Sequence, residues 1–492
     1  MGYVPKTEPY AHQKEVNKKV DPLAYAALFM QQGTGKTKVT IDRASSAFQQ
    51  RKIDGTLILC PKSLTETWVE ELATHCPEPY IYAVWNPSLT KRVKAALEAV
   101  LYNTPPAQPF LIMNIEAIRT QKGAKLAHYW AKHKRIHLVV DESSWVKTPS
   151  AKQTTATQNL ARSCVARTIL TGTPVSNSPA DYYSQLAVLT PDPLGFNNFY
   201  TFRARYCVLE KKVIRFKKPQ RTKKGRLVKT REIIQITGPK NSTELLSRLE
   251  PFCVFIKKKD CLDLPDKIYH KRYCDMTDEQ KRLYKDLTNK IITEVRSGEE
   301  LTIEIVLTRL LRLQQLIGGY LPHDDTSEAT PIVGKNPKMD LLMETISDYP
   351  GATLIWSRFQ AEHAGIYKRM LQDEIPKENI GFITGPTDKA QREINRKQFQ
   401  AGKLQFLICT QSCAGYGYTL TAAENEIYYS NTFSLEHREQ SEDRAHRIGQ
   451  TKHVNIIDLM MRQTVDQKIY DALRSKRNVA ELLTTLNLEE FF

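Results

Sequence analysis

No stretch of this 492-residue chain is apolar for long enough to cross a bilayer. Its first residues lack the apolar core of a signal peptide. Metal-type spacing is missing as well. The nine cysteines are scattered, and the closest pairs, Cys253 with Cys261 and Cys409 with Cys413, have no second pair or His cluster to complete a zinc site. These absences predict a soluble, cytoplasmic protein with buried thiols and no membrane partner. Acid is absent from one long segment. Residues 211–231 hold eleven Lys or Arg and no Asp or Glu, and they supply most of the formal net charge of +17. A basic cluster of that density on a globular chain points to a polyanion, most simply nucleic acid. A solvated loop is the plain alternative.

What is present is a rhythm. Apolar runs at Thr56–Cys60, Phe110–Met113, His137–Val140 and Thr168–Thr171 read as strands, with helical patterns at Lys38–Gln49 and Leu64–Thr74. The last third repeats it, with strands at Thr353–Trp356, Gly381–Thr384, Gln405–Cys409, Glu426–Ser430 and Val454–Asp458 and helices near Ala361–Leu371 and Asp388–Gln400. Strand–helix alternation predicts parallel sheets covered on both faces. The expected fold is α/β, with one parallel-sheet lobe over residues 1–190 and another over 336–463. Between them, residues 191–335 lose the rhythm. They show helical patterns at Asn241–Leu249, Asp278–Val295 and Leu301–Gln315, and read as a mostly helical insertion and linker that includes the basic segment. Residues 464–492 read as a C-terminal helix that packs back on the core.

Two runs carry the chemistry. Gly33-Thr34-Gly35-Lys36-Thr37 follows the apolar run Leu23–Met30 and opens a helix. Glycines there let backbone N–H groups approach phosphates, Lys36 neutralises the β- and γ-phosphates, and the Thr37 hydroxyl suits Mg²⁺. The strict loop pattern has Gly where this chain has Met30. Leu138-Val139-Val140-Asp141-Glu142 places two carboxylates at the C-terminal end of a strand, where ligands sit in open α/β sheets. Asp141 would hold Mg²⁺ and Glu142 would act as general base. Thr171-Gly172-Thr173-Pro174 ends another strand and suits a sensor of the γ-phosphate. Near the other end, Arg444 and Arg447 lie in the run Gln440–Gln450. Three residues apart on an expected helix, both can face one ligand. Arginines supplied from a second lobe stabilise the charge that phosphoryl transfer spreads over the γ-oxygens. ATP with Mg²⁺ is the expected ligand.

In order, these runs resemble the motifs of helicase superfamily two, and in detail those of the Swi/Snf family of double-stranded DNA translocases. Pro9-Tyr10-x-His12-Gln13 resembles the family's adenine-reading glutamine motif. Leu57–Leu64 with Trp68 resembles motif Ia, and Asp141-Glu142-Ser143-Ser144 with Lys147 resembles motif II. Leu170–Asn177, Thr353–Phe359 and Thr410–Ala423 resemble motifs III, IV and V. The run Asp443–Gln450 is the most specific signature. Phe202-x-x-Arg205-Tyr206-Cys207 and Ile256–Asp260 with Leu264-Pro265-x-Lys267 resemble the family's helical insertions. Ser144 stands where many members carry His, and Thr432-Phe433-Ser434 replaces the usual Trp-Asn-Pro.

The resemblance implies two RecA-like lobes around an ATP site, in a compact bacterial or bacteriophage motor. Gln13 and Gln450 are then further nucleotide-binding candidates. Phosphate contacts to duplex DNA, forked and branched forms included, are expected from Lys62, Asn114, Ser357, Arg358, Thr384, Gly385 and Thr410. A monomer is expected, and the host is a bacterial or phage-infected cell. The expected activity is DNA-stimulated ATP hydrolysis driving translocation on double-stranded DNA. The rivals are a strand-separating DNA or RNA helicase and a non-catalytic nucleic-acid-binding scaffold.

Overall fold

Alternation of side chains along short aliphatic strands gives this chain two parallel sheets, each buried on both faces. The computed structural model describes residues 3–102, 106–175, 178–221, 227–297, 303–322, 329–415 and 417–475. It divides into two units, one of residues 1–213 and 232–263 and the other of residues 214–231 and 264–492.

In the first unit the early strands are β1 (Tyr25–Met30), β2 (Gly55–Cys60), β3 (Tyr80–Val84), β4 (Gln108–Asn114), β5 (Ile136–Asp141) and β6 (Ala166–Thr171). A long strand pair follows, β7 (Cys207–Arg221) and β8 (Leu227–Pro239), which forms its own two-stranded sheet. The chain then returns to the main sheet with β9 (Cys253–Ile256). The seven-stranded order is β3-β4-β2-β5-β6-β1-β9, and every pairing is parallel. Period-two alternation assigns the faces. Ala27, Phe29, Leu57 and Leu59 join one buried cluster, while Ala26, Leu28, Met30, Ile58 and Cys60 join the other. Register then sets the functional edge. Phe29 stands opposite Thr171, and Leu170 opposite Asp141, so β1, β6 and β5 end level with one another.

The second unit opens with β10 (Lys267–Cys274). After the long helices Asp278–Ser297 and Ile303–Ile317 comes a small hairpin of β11 (Tyr320–Pro322) and β12 (Ala329–Pro331). The remaining strands are β13 (Thr353–Trp356), β14 (Ile380–Ile383), β15 (Phe406–Cys409), β16 (Asn425–Tyr428) and β17 (Val454–Met461). Their order is β10-β17-β16-β13-β15-β14, again parallel throughout. The Val465–Arg474 helix buries Val465, Ile469, Ala472 and Leu473 in one cluster with Leu310, Leu313 and Ile317 of the preceding long helix. Residues 476–492 of the expected terminal helix lie outside the described residues. No described helix is long and apolar enough to cross a membrane.

The middle of the chain departs from expectation. The expected mostly helical insertion at 191–335 is not a separate helical body. It contains the β7–β8 pair, and it contributes β9 to the first sheet and β10 to the second. The physical reason lies in the composition of the pair. Val213, Ile214, Phe216, Ile233, Ile234 and Ile236 are β-branched or aromatic, but the interleaved lysines and arginines hide their strand preference. The expected turn at Lys224-Gly225 lies outside the described residues. All nine cysteines are free, six of them buried.

Candidate functional site

The phosphate loop leaves the end of β1 and enters the Lys36–Gln49 helix. Gly33 at φ 80 and Gly35 at φ 85 take left-handed conformations that side chains resist. Gly35 is doubly constrained, since a Cβ there would stand 2.0 Å from Gln13 Nε2. Gln13 is buried beneath the loop. Its Oε1 accepts from the Tyr10 N–H at 3.0 Å, and its Nε2 donates to the Thr34 carbonyl at 3.3 Å. His12 Nε2 also meets the Thr34 carbonyl at 2.9 Å, so that nitrogen carries a proton. Thr34 Oγ1 donates to the Gln31 carbonyl at 2.7 Å, closing the loop on itself. Lys36 Nζ donates to the Met30 carbonyl at 2.8 Å, which holds the ammonium at the mouth of β1. Thr37 is half-buried on the first turn of the helix.

Two strands away, β5 delivers the carboxylates. Asp141 is buried; its Oδ2 accepts from Trp68 Nε1 at 2.9 Å and its Oδ1 from the Glu142 N–H at 2.9 Å. Burial pushes the Asp141 carboxyl above its ordinary value, opposed by nearby Lys36 and the Trp68 bond. Glu142 is also buried and sits at φ 50, ψ 57, a left-handed conformation uncommon for a residue with a side chain. Strain of that kind clusters at working sites. β6, between β5 and β1, supplies the link: Thr171 Oγ1 donates to Glu142 Oε2 at 3.4 Å. A second bridge joins the two strand ends. Ser143 Oγ donates to Gln185 Oε1 at 2.7 Å, and Gln185 Nε2 donates to the Pro174 carbonyl at 2.6 Å. Sequence reasoning did not single out Gln185 or the Ser143 hydroxyl. The Asp181–Leu189 helix brings Gln185 against the turn that follows β5.

In the second unit the Leu435–Ala445 helix packs beside the sheet, and its end revises the reading of the arginines. The helix stops at Ala445, with His446 at ψ 78 as its cap. Arg447 therefore lies beyond the helix, and the two arginines do not share a helical face. Arg444 is buried, and its Nε and Nη1 donate to the carbonyls of Gln440 at 2.9 Å and Tyr418 at 3.2 Å. Arg447 is half-buried. Gln450 is corrected too. Its Nε2 donates to the carbonyls of Thr421, Ala423 and Ala445, and its Oε1 accepts from the N–H groups of Thr451 and Lys452. That carboxamide ties the loop together instead of facing a ligand.

The expected phosphate contacts divide. Lys62 is exposed, as is Gly385, where a Cβ would meet nothing within 4 Å. Asn114 donates to Glu116 at 3.0 Å, and the Thr410 hydroxyl meets His363 at 3.3 Å. Ser357 is corrected: it is fully buried and donates to Glu362 at 2.9 Å. Thr384 is buried as well, sharing a 2.9 Å bond with Thr387. Arg358 stacks over the Phe433 ring at 4.2 Å, and burial lowers its pKa to about 10.

Among the described residues no group of three or more His, Cys, Asp or Glu could hold a metal ion by itself. The donors expected beside the phosphate loop are one hydroxyl, Thr37, and one carboxylate, Asp141. So few hard oxygens fit Mg²⁺, which keeps several waters and takes phosphate oxygens as ligands.

Comparison with known proteins follows the same division. The SNF2-related domain model matches residues 26–318, and the helicase conserved C-terminal domain model matches residues 337–449. The chain is 25% identical over 465 residues to the TATA-binding protein-associated factor mot1 of Aspergillus fumigatus, a match covering 86% of this chain and 23% of that protein. It is 24% identical over 462 residues to chromodomain-helicase-DNA-binding protein 1-like of Danio rerio, covering 91% of this chain and 41% of that one. It is 22% identical over 452 residues to the uncharacterized ATP-dependent helicase MG018 of Mycoplasma genitalium, covering 91% and 39%. The chain thus spans less than half the length of these relatives. Among solved structures, the Sulfolobus solfataricus SWI2/SNF2 ATPase core in complex with dsDNA is 23% identical, with 100% of this chain and 97% of that chain covered at a TM-score of 0.41.

Proposed function

The chain belongs to the SNF2-related domain family, and from that premise we propose that it is an ATP-dependent motor that translocates on double-stranded DNA and hydrolyses ATP when DNA is bound. The observation that carries the reading is the level edge of β1, β6 and β5. It brings the end of β1, where Lys36 Nζ meets the Met30 carbonyl, level with Thr171 and the Asp141–Glu142 pair. Lys36 neutralises the β- and γ-phosphates after leaving the Met30 carbonyl. Thr37 and Asp141 would hold Mg²⁺, which supplies charge neutralisation at the phosphates. Glu142 orients the attacking water and takes its proton, held in place by Thr171. Arg444 and Arg447 stabilise the charge of the transition state.

Duplex DNA is the proposed partner, and the protein works as a monomer. Lys62, Asn114, Gly385 and Thr410 remain the proposed phosphate contacts. Arg358 would join them only by leaving the Phe433 ring. Contacts of this kind fix position without reading sequence. The segment 211–231 adds eleven basic residues. It overlaps the β7–β8 pair, whose strands of 15 and 13 residues make roughly 45 Å of ribbon. The test is ATP hydrolysis with duplex, single-stranded, forked and four-way DNA and with RNA, beside triplex displacement. Stimulation by duplex with triplex displacement is expected. Stimulation by RNA alone, or fork unwinding without displacement, overturns the reading.

A further inference from the structure

The segment that carries Arg444 is held from both sides by the first residues of the second unit's main body, which begins at Leu264. Lys267, the first residue of β10, places Nζ 3.2 Å from Glu442 Oε2 and 3.2 Å from Asp443 Oδ1. On the other side of Arg444, His446 Nε2 donates to the Pro265 carbonyl at 2.8 Å. Two residues of the incoming chain therefore bracket the arginine.

The Lys267 contacts belong to a buried network. Glu442 Oε2 also accepts from the Tyr269 hydroxyl at 2.9 Å, and Glu442 Oε1 accepts from Arg438 Nε at 2.9 Å. Arg438 forks onto Asp458 of β17 at 2.6 and 2.9 Å and lies 3.4 Å from the centre of the Tyr428 ring. Burial works against both charges of the Lys267–Glu442 pair, but the partners outweigh it. Asp443 and Glu442 hold the Lys267 ammonium above its ordinary range, and Lys267 with Arg438 holds the Glu442 carboxyl down at about 2. Buried pairs of this kind add little net stability compared with apolar packing, but they fix one arrangement and are costly to break from one side. The helix sets the backbone register of Arg444 but not that of Arg447, because it ends at Ala445.

We infer that Lys267 is a positioning residue for the arginines: together with the Pro265 carbonyl it ties the chain entering the second unit to the segment from Glu442 to His446, so that a displacement of the entering chain is passed to Arg444 and Arg447. The inference rests on the functional reading above, in which those arginines serve ATP hydrolysis. The Lys267 ammonium is engaged by the two carboxylates of Glu442 and Asp443. Its loss changes the placement of the arginines, not the phosphate loop.

The experiment compares wild type, Lys267→Met, Lys267→Arg and Lys271→Met. The last removes a cation from the same strand that sits 4.7 Å over the Tyr470 ring instead. Two readouts are taken on folded protein, with melting curves as the folding control. One is steady-state ATP hydrolysis with saturating duplex DNA. The other is amide hydrogen exchange of peptides covering residues 440–450, with peptides covering 353–361 as internal reference. Lys267→Met is expected to lower kcat at least tenfold while KM for ATP and DNA affinity stay within about threefold. It should also speed exchange in 440–450 selectively. Lys267→Arg restores kcat to within about threefold, and Lys271→Met behaves as wild type. If Lys267→Met fails to fold, Asp443→Asn replaces it, with the same selective change in exchange and kcat expected. Unchanged exchange in 440–450, or equal losses in Lys271→Met, overturns the inference. A wild type without DNA-stimulated hydrolysis would overturn the functional reading instead, and the exchange arm would still decide the tie.

Discussion

Glu426 lies within the second sheet, with its Oε2 accepting from Trp356 Nε1 at 2.7 Å and the Tyr428 hydroxyl at 3.3 Å, and its buried Oε1 accepting from nothing among the described residues. Burial, with Glu442 nearby, raises its pKa from 4.5 to about 8. The sign follows from proton linkage. Between those two values the folded protein holds a proton that the unfolded chain has released, so stability falls as pH rises through that window, and the full penalty is present above it. Glu426→Gln should therefore flatten the dependence of Tm on pH between about 5 and 8 and melt higher than wild type above that range. An unchanged slope in thermal scans across that range would show that the carboxyl is not protonated in the folded state. At the nucleotide site the same scale separates binding from chemistry. Lys36→Ala removes the loop cation and should nearly abolish hydrolysis. Glu142→Gln keeps an acceptor for Thr171 and removes the base, so a fluorescent ATP analogue should bind as before while phosphate release stops. Wild-type phosphate release in Glu142→Gln would remove Glu142 from its assigned role.

Elements differ in how much of them the sequence discloses. The strands that end at Met30, Asp141 and Thr171 were legible because each is a short aliphatic run buried on both faces, and because glycine or carboxylate follows at the edge. The Leu435–Ala445 helix was legible as a helix, but its stop was not: Gly449 comes four residues after the last helical residue, and no proline marks the end. β3 is not legible in the sequence because its burial is patchy at the sheet edge. β7 and β8 are not legible because charge overwhelms the apolar pattern. Their role is tested at this scale. Replacing Lys211–Arg231 with a short Gly-Ser turn should weaken duplex binding and flatten its salt dependence, by about 0.9 in log–log slope for each phosphate the segment neutralises. Turnover at saturating DNA should change much less. A wild-type salt slope in the shortened protein would mean that the strand pair does not touch the phosphate backbone.

At the scale of the whole chain, the proposed mechanism asks residues from both units to act on one ATP. The arginines are the point where that demand can be measured. The two are not interchangeable. Arg444 is buried with its guanidinium on the carbonyls of Gln440 and Tyr418, so Arg444→Ala takes a donor from two carbonyls and should lower Tm along with activity. Arg447 lies past the end of the helix and is half-buried, so Arg447→Ala gives the cleaner reading. Its kcat should fall about 10²-fold or more, equal to ~3 kcal/mol of transition-state stabilisation. ATP affinity should fall much less, because the loop of Gly33 to Thr37 and the Asp141 carboxylate are untouched. Duplex binding should persist and translocation should stop, since it depends on turnover. Arg447→Lys should recover only a small part, because an ammonium lacks the planar fork that meets two phosphate oxygens at once. Measured together on Arg447→Ala, normal DNA-stimulated turnover with intact translocation would take Arg447 out of hydrolysis and leave Arg444 to carry whatever part the second unit has in the chemistry.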